Sequence, residues 1–503
     1  MNKNGSGANR LIIVSNRLPI VLSRKKDGAW QIEPGSGGLV TALAPVLRNR
    51  GGIWIGWPGA FVDDPEEMET LLGRATKDAG YRLKPVELDE ADIDQYYRGF
   101  SNEVLWPLFH DLQSRCRFDP AYWQAYLRAN DKFARVIAEN AGKDDFIWVH
   151  DYHLMGVARS LRKRKVEARC GFFLHTPFPP MDVYLKLPWR FQILQSLLEY
   201  DLIGFQTIRD RRNFLQCIRH LAHGVKISGR GQVLSLTFGK RSLRVGSFPI
   251  SIDFNEFANL AKTRDVADQA WYIHEDLPHQ QIILGIDRLD YTKGIPEKFK
   301  AFRSALLRFP ELMEKVVLIQ VLVPSRRAIP EYEDLKIEIE RLVGEINGQL
   351  TRSGWVPIHY IFRHLDRQEL LAYYRTAEVA LLTPLKDGMN LVAKEYSASN
   401  LEETGVLILS EFAGATSQLQ DGALLVNPHD IEGMAETIHQ AYRMDEDEKR
   451  TRMRKLRRSI RRYDIFWWVN SFLEAAIAKR LDHFPVMADY APQAPVEDSE
   501  SPS

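Results

Sequence analysis

The feature that most constrains this chain is an alternation running through nearly all of it: short apolar runs rich in β-branched and aromatic residues, separated by amphipathic stretches. RLIIVS, GIWIGW, FIWVHD, CGFFLHT and LIGFQT lie in the first half. QIILGIDRLD, KVVLIQVLVPSR, IHYIFRHL, VALLTPL, GVLILSE and ALLVNP lie in the second. Many are apolar at successive positions, which is the mark of parallel strands covered on both faces. Between them the period is helical; in GLVTALAPVLRN, Leu39, Val40, Leu43, Val46 and Leu47 share one face. The pattern predicts an α/β chain built on doubly wound parallel sheets.

At 503 residues the chain exceeds one typical core, so two domains are expected. The alternation pauses over 225–245, rich in Gly, Ser, Lys and Arg, and resumes with VGSFPISID. A boundary near residue 250 follows. Residues 1–250 and 251–458 are each expected to form a Rossmann-like domain. The segment 459–482 is expected to be helical and to return to the N-terminal domain. The stretch 483–503, rich in Pro, Ser and acidic residues, is expected to be a disordered tail. Ligands collect at the carboxyl ends of strands in open α/β sheets, so both halves should aim their loops into a central cleft.

Bulk chemistry narrows the function. A formal net charge of +1 provides no pull toward nucleic acid or an anionic membrane. The opening MNKNGSGANR lacks the apolar core of a signal peptide, and no apolar run reaches membrane-spanning length. Cys116, Cys170 and Cys217 have the spacing of neither a disulfide framework nor a zinc site. A soluble cytoplasmic protein is expected, without a membrane or nucleic-acid partner.

Four motifs carry candidate chemistry. Arg17 ends the first strand in Ser15-Asn16-Arg17, and Gly38 opens a helix after Gly35-Ser36-Gly37, where backbone N–H groups can meet a phosphate. In DRLDYTKG, Arg288 and Lys293 lie just past a strand and suit a diphosphate leaving group, Arg as a fork and Lys as a point charge. In VPSRR, Arg326 again follows a strand. In PLKDGMNLVAKEY, Asp387 sits at a strand end, Gly388 and Met389 turn the chain, and Asn390 caps a helix through Leu391, Val392, Lys394 and Glu395. Three basic sites at strand ends in a nearly neutral chain describe a cleft for more than one phosphate.

Histidines follow two strands in the first half: His150 and His153 flank Asp151 in WVHDYHLM, and His175 ends FFLHTPFP. The spacing is not that of a metal site, so metal: none is the expectation. Tyr97 and Trp106 in YYRGFSNEVLWPLFH read as core aromatics or as a sugar platform. The two Asp-x-Asp matches, 92–94 and 445–447, fall in polar segments away from strand ends. No Walker-type loop occurs. The basic stretch Lys449–Arg462 has Met453, Leu456 and Ile460 at helical spacing, and so reads as a solvated helix face.

Taken in order, SNR, SGG, GIWIGWPG, YYRGFSNEVLWPLFH, WVHDYHL, GFFLHTPFP, DLIGFQT, DRLDYTKGIPEK, PSR, TPLKDGMNLVAKEY and VLILSEFAGA resemble the trehalose-6-phosphate synthase family of retaining glycosyltransferases, over residues 10 to 480. The resemblance implies the GT-B architecture, two Rossmann-like domains facing across a cleft. It implies transfer of glucose from UDP-glucose to glucose 6-phosphate without cofactor or metal, in trehalose biosynthesis and stress protection. Arg288 and Lys293 then hold the donor diphosphate, with Gly38 and the backbone of Asn390, Leu391 and Val392 beside it. Asp387 and His175 hold the donor glucose, with Gly388 and Met389 in the same loop. Glu395 takes the ribose, and the base lies near Arg363 to Asp366. Arg17, Tyr97 and Arg326 grip the acceptor phosphate, with Trp57, Trp106 and Asp151 around the acceptor sugar.

The family's reaction is usually explained by front-face attack, so Arg288, Lys293, Asp151 and His175 become the catalytic set. Glucosylglycerol-phosphate synthase shares the donor half, but Arg17 and Arg326 favour glucose 6-phosphate. A non-catalytic regulatory subunit would have lost donor residues that this chain keeps. A homo-oligomer is expected.

Overall fold

The computed structural model describes residues 10–24, 29–35, 38–60, 64–325, 330–478, 490 and 492. The strands of the first half are β1 (Leu11–Arg17), β2 (Ile20–Arg24), β3 (Trp30–Pro34), β4 (Ile53–Trp57), β5 (Arg82–Pro85), β6 (Phe146–His150), β7 (Arg169–Leu174), β8 (Leu202–Phe205), β9 (Val225–Ser228), β10 (Val233–Phe238) and β11 (Arg241–Ser247). Nine of them form one sheet in the order β5-β4-β1-β6-β7-β8-β11-β10-β9, while β2 and β3 make a separate hairpin. The second half contributes β12 (Gln281–Arg288), β13 (Val316–Val323), β14 (Ile358–Phe362), β15 (Val379–Leu382), β16 (Val406–Ser410) and β17 (Leu424–Val426). They form an all-parallel sheet in the order β14-β13-β12-β15-β16-β17.

The continuous apolar runs are the strands buried on both faces. Every residue of β4, β6, β8, β15 and β16 is buried, and so is all of β13 except its last. Burial of this kind, at about 25 cal/mol per Å² of apolar surface, is what holds each sheet under its helices.

The pause expected over 225–245 is not a break in the fold. It is the antiparallel meander β9-β10-β11, which joins the first sheet by parallel pairing of β11 with β8. Its strands mix buried with partly exposed positions, patterned VKIS and RSLRV, and β9 forms the sheet's edge, so they lack the apolar runs by which the central strands are recognised. The segment VGSFPISID, expected to restart the alternation, supplies the end of β11 and then an extended strap over 248–253.

That strap is held from all sides. Phe248 N–H donates to Phe205 O at 2.7 Å, and Trp468 Nε1–H to Phe248 O at 3.0 Å. Ile250 N–H donates to Gln206 Oε1 at 2.9 Å, and Lys394 Nζ to Ile250 O. The helix Glu446–Arg462 packs on the second sheet, burying Met453, Leu456 and Ile460 as its period indicates. It is not simply a solvated face, because the Arg457 guanidinium is buried and donates to the carbonyls of Ser397, Ala398 and Asn400.

The chain then crosses back. The helix Ile465–Ile477 lies against the first sheet, its Phe472 stacked on Trp148 and its Trp468 tilted against the same ring. The two crossings touch, with Ile465 N–H donating to Ile252 O at 3.0 Å. Of the stretch 483–503 only Tyr490 and Pro492 are described, and the Tyr490 hydroxyl donates to Glu411 at 2.9 Å. The disorder expected there otherwise concerns residues outside the described ones.

Candidate active site

The site is built at the carboxyl ends of β1, β4, β6 and β7 on one side and of β12 and β15 on the other. In the motif Ser15-Asn16-Arg17 the three residues divide their tasks. Ser15 and Asn16 are buried, Ser15 Oγ accepting from Trp54 Nε1 at 2.7 Å and Asn16 Oδ1 from Tyr96 OH at 2.8 Å. Arg17, the exposed last residue of β1, lays its guanidinium 4.2 Å over Trp57 and 5.7 Å from the Tyr97 ring. Gly59 makes room for it: with φ of +88°, a Cβ there would stand 2.2 Å from an Arg17 guanidinium nitrogen. The WPG triplet thus supplies the face and the gap for one arginine.

Tyr97 lies on a π-helix, Ile93–Leu105, that runs directly into the helical turn Trp106–Phe109. Sequence reading took core as the default for this segment and a sugar platform as the alternative, and its buried face is core. Tyr96, Phe100 and Val104 are fully buried, while Tyr97 stacks on His153 with centroids 5.8 Å apart. Long π-helical segments are rare and gather at functional sites, but no residue pattern distinguishes them from α-helix. Trp106 is buried beneath His110 and Tyr152, and its ring faces the Arg288 guanidinium at 5.8 Å from across the cleft. Burial holds His110 neutral, its imidazole lowered to about 4.

Asp151 follows β6 with φ of +73°, an uncommon conformation for a residue with a side chain. It turns its carboxylate to accept the His175 backbone N–H at 3.3 Å. His175 is 3 % exposed, and its ring meets that of His150 through Nε2 and Nδ1 at 3.0 Å. Burial lowers the His175 imidazole to about 3 and the His150 imidazole well below its ordinary value, so both rings are neutral.

On the opposite wall Arg288 ends β12 with about half of its side chain exposed, 4.0 Å from Asp290. Asp290 in turn ties the next turn by accepting from Thr292 N–H and Oγ1. Lys293 follows, and its ammonium lies 2.6 Å from Asp387 Oδ2. Burial alone would raise the Asp387 carboxyl, but the Lys293 ammonium overrides it and holds the group below its ordinary value. Asp387 also accepts from Met389 N–H at 3.1 Å and Asn390 Nδ2 at 3.4 Å.

Asn390, in the left-handed region, caps the helix Leu391–Ser399 by accepting from Ala393 N–H at 3.2 Å. That helix N-terminus, with Leu391 and Val392 in its first turn, faces an anion favourably. Glu395 accepts from the Tyr374 hydroxyl at 2.8 Å, and burial raises its carboxyl. Gly388 closes the gap between halves, since a Cβ there would stand 2.0 Å from the carbonyl oxygen of His175.

Both expected sets therefore meet in one cleft. Arg17, Trp57, Tyr97, Trp106, Asp151 and His175 line the first-half wall, with Arg288, Lys293, Asp387, Gly388 and Asn390 opposite. Gly38 is placed only as the first residue of the helix Gly38–Arg50. Arg326 lies outside the described residues. Near the expected base site, Arg363 pairs with Glu369 and Asp366 caps the helix Arg367–Thr376. The Asp-x-Asp matches have structural roles, Asp92 pairing with Lys132 and Asp445 capping a helix. Among the described residues no group of three or more His, Cys, Asp or Glu could hold a metal ion, and no helix is long and apolar enough to cross a membrane. Sequence reading missed the Lys386–Asp111 ion pair that spans the cleft, the Arg115 guanidinium 4.8 Å over Tyr291, and Tyr374 beneath Glu395. These partners lie far apart in sequence, so no local spacing announces them.

The fold is shared with known structures. A UDP-forming α,α-trehalose-phosphate synthase from Burkholderia xenovorans, solved in complex with glucose-6-phosphate, superposes with a TM-score of 0.83 at 36% identity over 93% of this chain and 100% of that one. A structure from E. coli bound with UDP-2-fluoro glucose gives 0.81 at 35% identity over 93% and 99%. The trehalose-6-phosphate synthase of Mycobacterium bovis is 42% identical over 93% of this chain and 95% of its own length. Two α/β sheets with their strand ends converging on a cleft that carries Arg17, Arg288 and Lys293 define a glycosyltransferase of the GT-B architecture. More narrowly, the chain belongs to glycosyltransferase family 20, whose model matches residues 9–478.

Proposed function

We propose that this enzyme transfers glucose from UDP-glucose to glucose 6-phosphate with retention of configuration, giving α,α-trehalose 6-phosphate and UDP, and that it needs no metal. The observation that carries the reading is the two-sided cleft: an arginine on an aromatic shelf on one wall, and a strand-end Arg288–Lys293 pair beside a helix N-terminus on the other. The relatives' substrates agree with both walls. Residues 1–250 and 251–458 are read as the acceptor and donor domains.

In this reading Arg288 and Lys293, with the backbone of Asn390, Leu391 and Val392 and with Gly38, hold the diphosphate, and Glu395 holds the ribose. Asp387 and His175 hold the donor glucose. Arg17, Tyr97 and Arg326 hold the acceptor phosphate; Trp57, Trp106 and Asp151 surround the acceptor sugar. The acceptor hydroxyl attacks the anomeric carbon from the face that the diphosphate leaves. The C1–O bond to the β-phosphate breaks, the new glycosidic bond forms, and the acceptor proton passes to the departing phosphate oxygen. Arg288 and Lys293 stabilise the charge developing on that oxygen, and positioning supplies much of the remainder.

The test is a product analysis. The protein is incubated with UDP-, GDP- or ADP-glucose against glucose 6-phosphate or glycerol 3-phosphate, with and without a chelator. Trehalose 6-phosphate from UDP-glucose, unaffected by the chelator, is expected. A glycerol 3-phosphate product in excess, or activity abolished by the chelator, would overturn the acceptor or the metal-free step respectively.

A further inference from the structure

His150 has no part in the reading above, yet among the described residues it is the hydrogen-bond partner of the His175 ring, which it meets at Nε2. It closes β6 and is fully buried, while His175 follows β7 on the adjacent strand. Parallel pairing of β6 with β7 brings the two imidazoles together, His150 Nδ1 to His175 Nε2 at 3.0 Å. The rings sit among Trp148, Phe173 and Trp468, with Trp148 4.8 Å from His150 and Phe173 4.7 Å from His175. Trp468 comes from the C-terminal helix and packs against both, at 6.4 Å and 6.2 Å. In such surroundings neither ring is charged, so a single proton occupies the Nδ1···Nε2 contact.

The outer nitrogens, His150 Nε2 and His175 Nδ1, are both buried with no hydrogen-bond partner among the described residues. Only two proton arrangements are then available. If His175 donates to His150, the proton on His150 Nε2 is stranded under Trp148 and Trp468 in every state of the enzyme. If His150 donates, its Nε2 is bare and His175 carries its proton on Nδ1. A buried N–H without an acceptor is the rarer and costlier defect, and only the second arrangement directs that N–H to a residue at the cleft, where a sugar hydroxyl can accept it. We infer that His150 is a positioning residue that fixes His175 as the Nδ1–H tautomer, so that His175 meets the donor sugar as a hydrogen-bond donor.

The inference rests on the proposed donor role of His175, and its test separates the two. In the ligand-free protein labelled with [15N]histidine, the ring shifts should show Nδ1–H and bare Nε2 for both His150 and His175. Two variants bracket the effect. His150→Asn keeps an N–H donor close to the place of Nδ1, and His150→Phe keeps the packing among the aromatics but removes the bond. With folding verified by melting temperature, His150→Phe should lower kcat/KM for UDP-glucose by about 10–100-fold, the cost of losing a ligand-orienting partner. It should leave KM for glucose 6-phosphate within about twofold. His150→Asn should recover most of the loss and the tautomer. A folded His150→Phe variant with the parent's kcat/KM, an Asn variant no better than Phe, or an Nε2–H signal from His175 in the parent would each overturn the inference. A parent inert toward UDP-glucose and glucose 6-phosphate would sink the functional reading instead, and the ligand-free ring shifts would still decide the tautomer.

Discussion

Lys293 and Asp387 face one another at 2.6 Å across the junction of β12 and β15 loops, each side chain only 12 % exposed. The cation read as a diphosphate ligand is therefore held in position by a carboxylate read as a sugar ligand, and neither is left buried without a counter-charge. Replacing Lys293 by Ala removes the transition-state contact and strands Asp387 together. The expected loss is about 2–4 kcal/mol in kcat/KM, or roughly 30- to 1000-fold, by analogy with the loss of an oxyanion donor. Steady-state kinetics with UDP-glucose measures it, and near-normal turnover would refute the role.

The same pair should shape acid stability. Asp387 has its carboxyl lowered in the folded state, so it contributes stability above the ordinary carboxylate range and loses it as the pH falls through the folded value. Melting temperature should thus fall less steeply with acid in Asp387→Asn than in the parent. Parallel curves would show that the pair does not titrate with folding.

Arg17 lies on Trp57 with Gly59 beside it, exposed at the end of β1. Arg17→Ala should raise KM for glucose 6-phosphate by about 10–100-fold, the range for a hydrogen bond to a charged group, and leave KM for UDP-glucose nearly unchanged. An equal rise in both constants would place Arg17 in the folding of the wall rather than in acceptor binding.

Lys394 carries a different pH signature. Its ammonium is buried against Ile250 O and Gln418, and burial lowers its pKa to about 7. Between that value and the ordinary lysine range the unfolded chain binds the proton and the folded one does not, so this group makes stability rise with pH there. Below about 7 both states are protonated and the contribution is flat. Across pH 6 to 9, the melting temperature of the parent relative to Lys394→Met should hold constant at the acid end and rise toward the alkaline end.

Lys386 and Asp111 join the two walls outside the buried part of the cleft. An ion pair so placed is worth at most about 1 kcal/mol, so Asp111→Ala should change KM by no more than about fivefold. That change should disappear in high salt. A salt-independent defect would mean that Asp111, with its φ of +63°, matters through its backbone instead.

What could be read from the residues and what could not divide along physical lines. The central parallel strands were visible because burial on both faces leaves an unbroken apolar run, as in FIWVH and VVLIQVLV. The meander β9-β10-β11 was not, since its strands alternate apolar with polar, partly exposed residues and β9 is the sheet's edge. The donor loop was legible because Arg288, Lys293, Asp387 and Asn390 stand at strand ends and a helix start, where local rules apply. The pairing of Asp387 with Lys293, of Tyr374 with Glu395 and of His150 with His175 was not. Each depends on the register between separate strands or helices. The π-helix under Tyr97 was equally silent, because α and π windings use the same residues.

The chain passes between its two halves twice, at the strap after β11 and again before Ile465, and Ile465 is hydrogen-bonded to Ile252 where the passages meet. A body hung on one thread can swivel; one hung on two adjacent threads can only fold about the line joining them. Any closure of this cleft would then be confined to a single bending axis, along which Arg17 and Lys293, 276 residues apart in the chain, would meet in one alignment. The same topology means that cutting either thread alone leaves the halves tethered but free to twist.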